Sequence, residues 1–119
     1  MKTTNNINTL LTDSEFVKIR VAVPLSAADK VRSALASSGA GVMGKYDSTS
    51  ASIRQTGRFR PLPGALPSIG EVGKIEEVEE ELIEALCHRD LADQVIASVR
   101  AVHPYEEPAI DILPRLEIK

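Results

Sequence analysis

From Glu15 to Val23 apolar and charged residues alternate: Val17, Ile19, Val21 and Val23 fall on one face, Lys18 and Arg20 on the other. That period of two predicts a half-buried strand, and Pro24 stops it. Ser26 then offers an N-cap, and Val31, Ala34, Leu35 and Ser38 recur at helical spacing. Gly39 is placed to close that helix in a left-handed conformation. Residues 48–57 alternate in small and β-branched side chains, with Ala51 and Ile53 on one face, and predict a second strand. Arg58 to Gly73, with Pro61, Pro63, Gly64, Pro67 and Gly70, reads as a long loop. A loop of that length in a compact domain usually serves function or an interface. Lys74 to Leu86 is ambiguous. Ile75, Val78, Leu82 and Leu86 fit a helical stripe, and glutamates favour helix, whereas Leu82 to Leu86 also suits a strand between acidic stretches. Leu91, Val95, Val99 and Val102 predict an amphipathic helix with Asp90 near its start, ended by His103-Pro104. A last strand is expected over Pro108 to Leu113, with Ile110 and Ile112 on one side and Pro114 as its end. Residues 1–14, rich in Asn and Thr, read as a mobile tail, leaving 15–119 as a single domain.

Composition narrows the setting. A chain of 119 residues fits one domain and buries only roughly 60–70% of its unfolded surface, so self-association is a natural source of stability. The aromatics are Phe16, Tyr46, Phe59 and Tyr105, so the core must be built from Val, Ile, Leu and Ala. A net charge of −3 disfavours a broad nucleic-acid footprint. The single cysteine, Cys87, rules out an internal disulfide framework and points to a reducing cytoplasm. No apolar run reaches the roughly 18 residues of a membrane span, and the N-terminus lacks the pattern of a signal peptide. A soluble cytoplasmic domain, with neither nucleic acid nor membrane as partner, is the expectation.

Several short patterns carry possible chemistry. Gly39, Gly41 and Gly44 spell GxGxxG, but a dinucleotide loop needs a strand before it and a helix after it. Here a helix precedes, so cap and turn is the better reading. His103, Glu106 and Glu107 are close enough to share a metal, and imidazole with carboxylate suits Zn²⁺ or Cu²⁺, with a threefold assembly completing the site. The alternative is structural: Pro104 and Tyr105 shape the turn, and Glu106 pairs with an arginine or caps a neighbouring backbone. Cys87-His88 is one adjacent pair rather than a zinc spacing, and reads as a packed thiol beside a helix entrance. Arg54, Arg58 and Arg60 bring three guanidinium groups beside the Gly/Pro loop; they either hold a small anion or nucleotide, or pair with the acidic run Glu76-Glu77 and Glu79-Glu80-Glu81. Tyr46 and Phe59 are candidate stacking surfaces for a base. With two histidines and one cysteine, no nucleophile–base–acid trio stands out.

Three stretches carry a family resemblance: Gly39-Ala40-Gly41-Val42-Met43-Gly44-Lys45-Tyr46-Asp47; Gly57-Arg58-Phe59-Arg60-Pro61 continuing through Gly64, Pro67, Ile69-Gly70 and Val72-Gly73; and His103-Pro104-Tyr105-Glu106-Glu107-Pro108-Ala109-Ile110-Asp111. Together they resemble the domain inserted into many bacterial Nif-three-like proteins of the YqfO type, which also occurs alone, over roughly residues 16 to 114. The last stretch is also similar to the HPYE-type segment of CutA, the divalent-cation tolerance protein. The resemblance favours strand for residues 74–86. It implies an α+β, ferredoxin-like βαββαβ fold, an antiparallel sheet with both helices on one face, in a CutA/PII-like domain that forms trimers. The candidate ligand-binding positions are Tyr46, Arg58, Phe59, Arg60, Gly70 and Tyr105. Full-length Nif-three-like proteins carry a two-metal core, described as GTP cyclohydrolase type I-like, rich in histidine and carboxylate. With only His88 and His103, this chain cannot supply it. The function expected is a non-enzymatic oligomeric domain that binds a small ligand or metal, in sensing or regulation. CutA-like handling of a divalent metal through His103 and Glu106 is one alternative, and residual nucleotide hydrolase or cyclohydrolase activity ranks last.

Overall fold

The computed structural model describes residues 10–119. Strand β1 (Leu11–Pro24) runs into a 3-10 turn, Leu25–Ala27, and helix α1 (Ala28–Ser38). Strands β2 (Ala51–Phe59) and β3 (Glu76–His88) follow. A second 3-10 turn, Arg89–Leu91, leads into helix α2 (Ala92–Val102), and β4 (Ile110–Ile118) closes the chain. The sheet has four strands in the order β2-β3-β1-β4, every neighbouring pair antiparallel. This is the α+β, ferredoxin-like βαββαβ arrangement, with the two helices packed against each other.

The alternation in β1 explains the core. Val17, Ile19, Val21 and Val23 face the helices and meet Ile83, Ala85 and Cys87 of β3. Val31, Ala34 and Leu35 of α1, with Val95 and Val99 of α2, complete the cluster. Burying each such Val, Leu or Ile side chain stabilises the fold by about 1.5–3 kcal/mol. On β3 the period of two overrides the helical stripe, because Ile83, Ala85 and Cys87 are the side chains that reach the core. The acidic residues separate by the same parity. Glu81 points to the helix side, where Arg32 of α1 bonds it and holds its carboxyl below the usual range. Glu84 lies on the helix-free face between Arg20 and Lys18, at 2.7 and 3.0 Å, which likewise lower it.

Several boundaries differ from the sequence pattern. Residues 1–9 of the expected tail lie outside the described residues, but β1 begins at Leu11, not Glu15. Leu11, Thr12 and Asp13 pair with Ile118, Glu117 and Leu116, and a bulge precedes Val17. Ser14 sits buried in that bulge, its Oγ accepting from the Phe16 N–H at 2.9 Å and from Arg115 at 3.0 Å. Ser26 is not the N-cap of α1; the 3-10 turn intervenes and Ala27 takes the cap position without a side-chain bond. The second strand runs on to Phe59 and the third to His88. Finally, β4 does not stop at Pro114 but continues to Ile118. Proline is tolerated there because β4 is a sheet edge and Pro114 lies opposite Val17, beside the bulge.

The Gly39–Gly44 motif is a turn. Gly39 caps α1 at φ 117°. Gly41, at φ 82°, donates to the Leu86 carbonyl at 2.6 Å, and a Cβ there would lie 2.5 Å from the Thr49 carbonyl oxygen. Only glycine allows that approach, and no helix follows.

Candidate functional site

Helix α2 ends because His103 is extended and Pro104 cannot continue it. His103 turns inward and is buried. Its Nδ1 accepts from the Tyr105 N–H at 3.1 Å, so its Nε2 carries the proton and donates to the Ala22 carbonyl at 2.7 Å. Ala22 in turn donates to the Ala109 carbonyl at 3.1 Å. The turn leading into β4 is thereby fixed to the central strand at two points.

This geometry aims Tyr105 across the helix-free face of the sheet. Its hydroxyl donates to Glu80 at 2.9 Å, while Gln55 of β2 donates to the other oxygen of the same carboxylate at 3.0 Å. Glu80 is only 5% exposed. It reaches this place across Gly57, where a Cβ would lie 2.4 Å from the nearer carboxylate oxygen. Burial, and secondarily the bond to Glu80, push the Tyr105 phenol well above its ordinary value. The Phe59 ring stands 6.0 Å from that of Tyr105 at 55°. The long loop folds over from the other side, and Glu106 pins it by accepting from the Leu66 N–H at 3.1 Å.

Between loop and turn lies a cleft of about 480 Å³. Its wall is mostly apolar, from Ala22, Phe59, Pro61, Leu62, Pro67 and Ile69, and its polar groups are Gln55, Glu80 and Tyr105 with Arg58, Arg60, Glu106 and Glu107. That size and character match small-molecule sites. The turn and the Gly/Pro loop, both marked in the sequence, therefore meet in one place.

Of the residues singled out for a ligand, Arg58, Phe59, Arg60 and Tyr105 line this cleft, whereas Tyr46 and Gly70 do not. Tyr46 is exposed on a turn closed by bonds to Met43, and Gly70 makes room for Glu76. The arginines do not converge on one anion: Arg58 bonds Glu77 at 2.8 Å, and Arg54 lies opposite Glu81 in the register. For the metal expectation, His103 has both nitrogens engaged by backbone, Glu106 is held by Leu66, and Glu107 lies on the cleft wall. Among the described residues, no group of three or more His, Cys, Asp or Glu side chains could hold a metal ion. Cys87 and His88 point to opposite faces of β3. The thiol is buried, which raises its pKa, while His88 packs edge-on against Phe16 and accepts from the Asp90 N–H at 3.2 Å. Sequence reasoning missed Glu80, Gln55 and Gly57. The available signal was Gly57 itself, a glycine inside a strand, which marks a close approach.

No family model matches the chain. It is similar to proteins named GTP cyclohydrolase 1 type 2 homolog. The Mycobacterium tuberculosis protein is 43% identical over 90 residues, covering 76% of this chain and 24% of the relative. The Bacillus subtilis protein is 42% identical over 97 residues, 82% of this chain and 26% of the relative. Among solved structures, a Bacillus cereus protein related to NIF3 superposes with a TM-score of 0.75 at 38% identity, over 87% of this chain and 26% of that one. The periplasmic divalent cation tolerance protein CutA of Archaeoglobus fulgidus superposes with a TM-score of 0.60 over 84% of this chain and 83% of that one. At 20% identity the second likeness shows the fold alone. The chain spans about a quarter of the length of the curated relatives it matches.

Proposed function

The chain is a relative of one segment of the NIF3-related proteins, with the fold of CutA, and on that premise we propose that it is a non-enzymatic, oligomeric domain that binds a small organic ligand and serves sensing or regulation. The observation that carries this reading is the cleft between the Gly/Pro loop and the His103–Pro108 turn, with the buried Glu80 carboxylate, bonded by Tyr105 and Gln55, among its lining groups. A fold needs no buried carboxylate beside an apolar cavity, and such groups usually fix the orientation of a ligand. The side chains that catalysis would recruit are engaged in structure: His103 by two backbone bonds, His88 by the start of a helical turn.

Self-association is supported by the helix-free face of the sheet. Ile53 there is 62% exposed, and Leu82, Leu86 and Leu113 are only partly covered. A second copy of this chain is the natural cover for such a face, and the buried free thiol of Cys87 suits a reducing cytoplasm. No helix among the described residues is long and apolar enough to cross a membrane.

Two measurements test the reading. In a two-dimensional amide NMR titration with a metabolite panel, ligands should shift Gln55, Gly57, Phe59 and Tyr105 together, and a panel that leaves these four unmoved removes the ligand site. Size-exclusion chromatography with light scattering should give a multiple of the protomer mass. A strict monomer at micromolar concentration removes the assembly.

A further inference from the structure

Glu80 differs from the ion-paired acids of its strand. Glu77 pairs with Arg58, Glu81 with Arg32, and Glu84 with Arg20 and Lys18. Glu80 is more deeply buried than these, yet no lysine, arginine or histidine pairs with it among the described residues. Its two bonds come from neutral donors, Gln55 Nε2 on one oxygen and Tyr105 Oη on the other. A carboxylate offers about four acceptor positions, so each oxygen keeps one. A buried carboxylate gains most from charged or strongly polarised N–H donors, and both of its oxygens together match a pair of parallel donors.

The surroundings restrict the shape of such a partner. Gly57 makes room for the Glu80 carboxylate itself, which packs closely over it and so is held on the cleft wall. The Phe59 and Tyr105 rings, 6.0 Å apart, present flat apolar surfaces along the same wall. Planar guanidinium groups and planar heterocycles stack on such rings, whereas an ammonium does so without filling the plane. The other basic groups on the lining do not pair with Glu80: Arg58 is bonded to Glu77, and Arg60 is exposed.

Building on the cleft as the ligand site, we propose that Glu80 is its specificity-determining residue and selects a planar group with two adjacent N–H donors. That chemistry belongs to guanidino and amidino compounds and to the N–H edge of a guanine-type ring. Adenine, whose edge alternates donor and acceptor, and simple alkylamines lack it.

The test is amide NMR titration of the full chain with agmatine, guanosine, adenosine and butylamine, each on the wild type, Glu80→Gln and Tyr105→Phe. Agmatine or guanosine should shift Gln55, Gly57 and Tyr105 and bind about tenfold or more tighter than adenosine and butylamine. Binding by agmatine alone identifies the guanidino source, and binding by guanosine alone the ring source. Glu80→Gln should lose about tenfold or more, while Tyr105→Phe, which keeps the carboxylate and the ring but withdraws the hydroxyl, should lose less than Glu80→Gln does. If Glu80→Gln unfolds, Glu80→Asp keeps the charge while withdrawing it, and should weaken binding without abolishing it. Equal binding by wild type and Glu80→Gln, or adenosine and butylamine as tight as the donor-pair probes, overturns the assignment of Glu80 while leaving the cleft as a ligand site. Cleft amides that no probe moves overturn both.

Discussion

Strands β1 and β3 each end in an extended residue, Pro24 and His88, followed by one 3-10 turn and a helix of 11 residues. The two helices then finish in opposite ways. Helix α1 ends on Gly39 in the left-handed region, and the chain leaves through a tight glycine turn bonded to β3. Helix α2 ends on His103, extended and buried, whose side chain takes over the fastening that backbone turns provide in the first half. The first ending only reverses the chain. The second leaves Tyr105, Glu106 and Glu107 on the wall of a cleft. Two nearly equal units thus differ where one ending is made of backbone and the other of side chains, and the cleft lies at the second.

His103→Ala should break this contrast most severely. It empties a buried position and strands the Ala22 carbonyl and the Tyr105 N–H, which together should lower stability by ~2–4 kcal/mol in urea denaturation. The same variant should lose the cleft, read as dispersed or missing amide signals for Tyr105 and Leu66. Gly39→Ala should be milder. Its φ of 117° strains any L side chain, and its Cβ would meet Leu91 Cδ1 at 3.0 Å, for a loss of ~1–2 kcal/mol with the cleft signals unchanged. If both variants disturb the cleft equally, the division of labour between the two endings is wrong. Glu84→Gln should have the smallest effect and serves as the reference outside both endings. The Glu84 carboxyl is depressed below its ordinary 4.5 by Arg20 and then Lys18, so its contribution is present above pH 4.5 and lost as the pH falls through the lower folded value. Its partners are nearly half exposed, so the variant should lose only ~0.5 kcal/mol at pH 7 and should flatten the acid limb of a pH–stability profile.

These expectations rest on features that were unequally visible in the sequence. The β1 alternation and the α2 stripe identify themselves, because Val17, Ile19, Val21 and Val23, and Val95 and Val99, are buried at the spacing the period requires. Strand β3 does not. Its glutamates mimic a helix, and their separation onto two faces becomes apparent only when Arg32 and Tyr105 arrive from elsewhere in the chain. The extension of β4 through Pro114 depends on that strand being an edge, which is a property of topology rather than of local sequence. The site was legible as two segments, and their meeting was the natural place to look. Glu80 was hidden inside an acidic run that resembles any solvated face, and its burial depends on the missing side chain of Gly57 and on the reach of Tyr105 from 25 residues away.

Pro114 has a bearing on what the free edge of β4 can do. The Ala22 N–H bonds the Ala109 carbonyl, and antiparallel pairs alternate. Counting along the register, Val21–Ile110, Ile19–Ile112 and Val17–Pro114 are then the pairs whose polar backbone groups point away from β1. The position without an N–H thus falls on the outer rim of the sheet. A stray strand from another molecule, seeking to lengthen the sheet there, meets a missing donor in mid-strand and cannot zip past it. The proline acts as a guard against uncontrolled edge-to-edge lengthening of the sheet at β4.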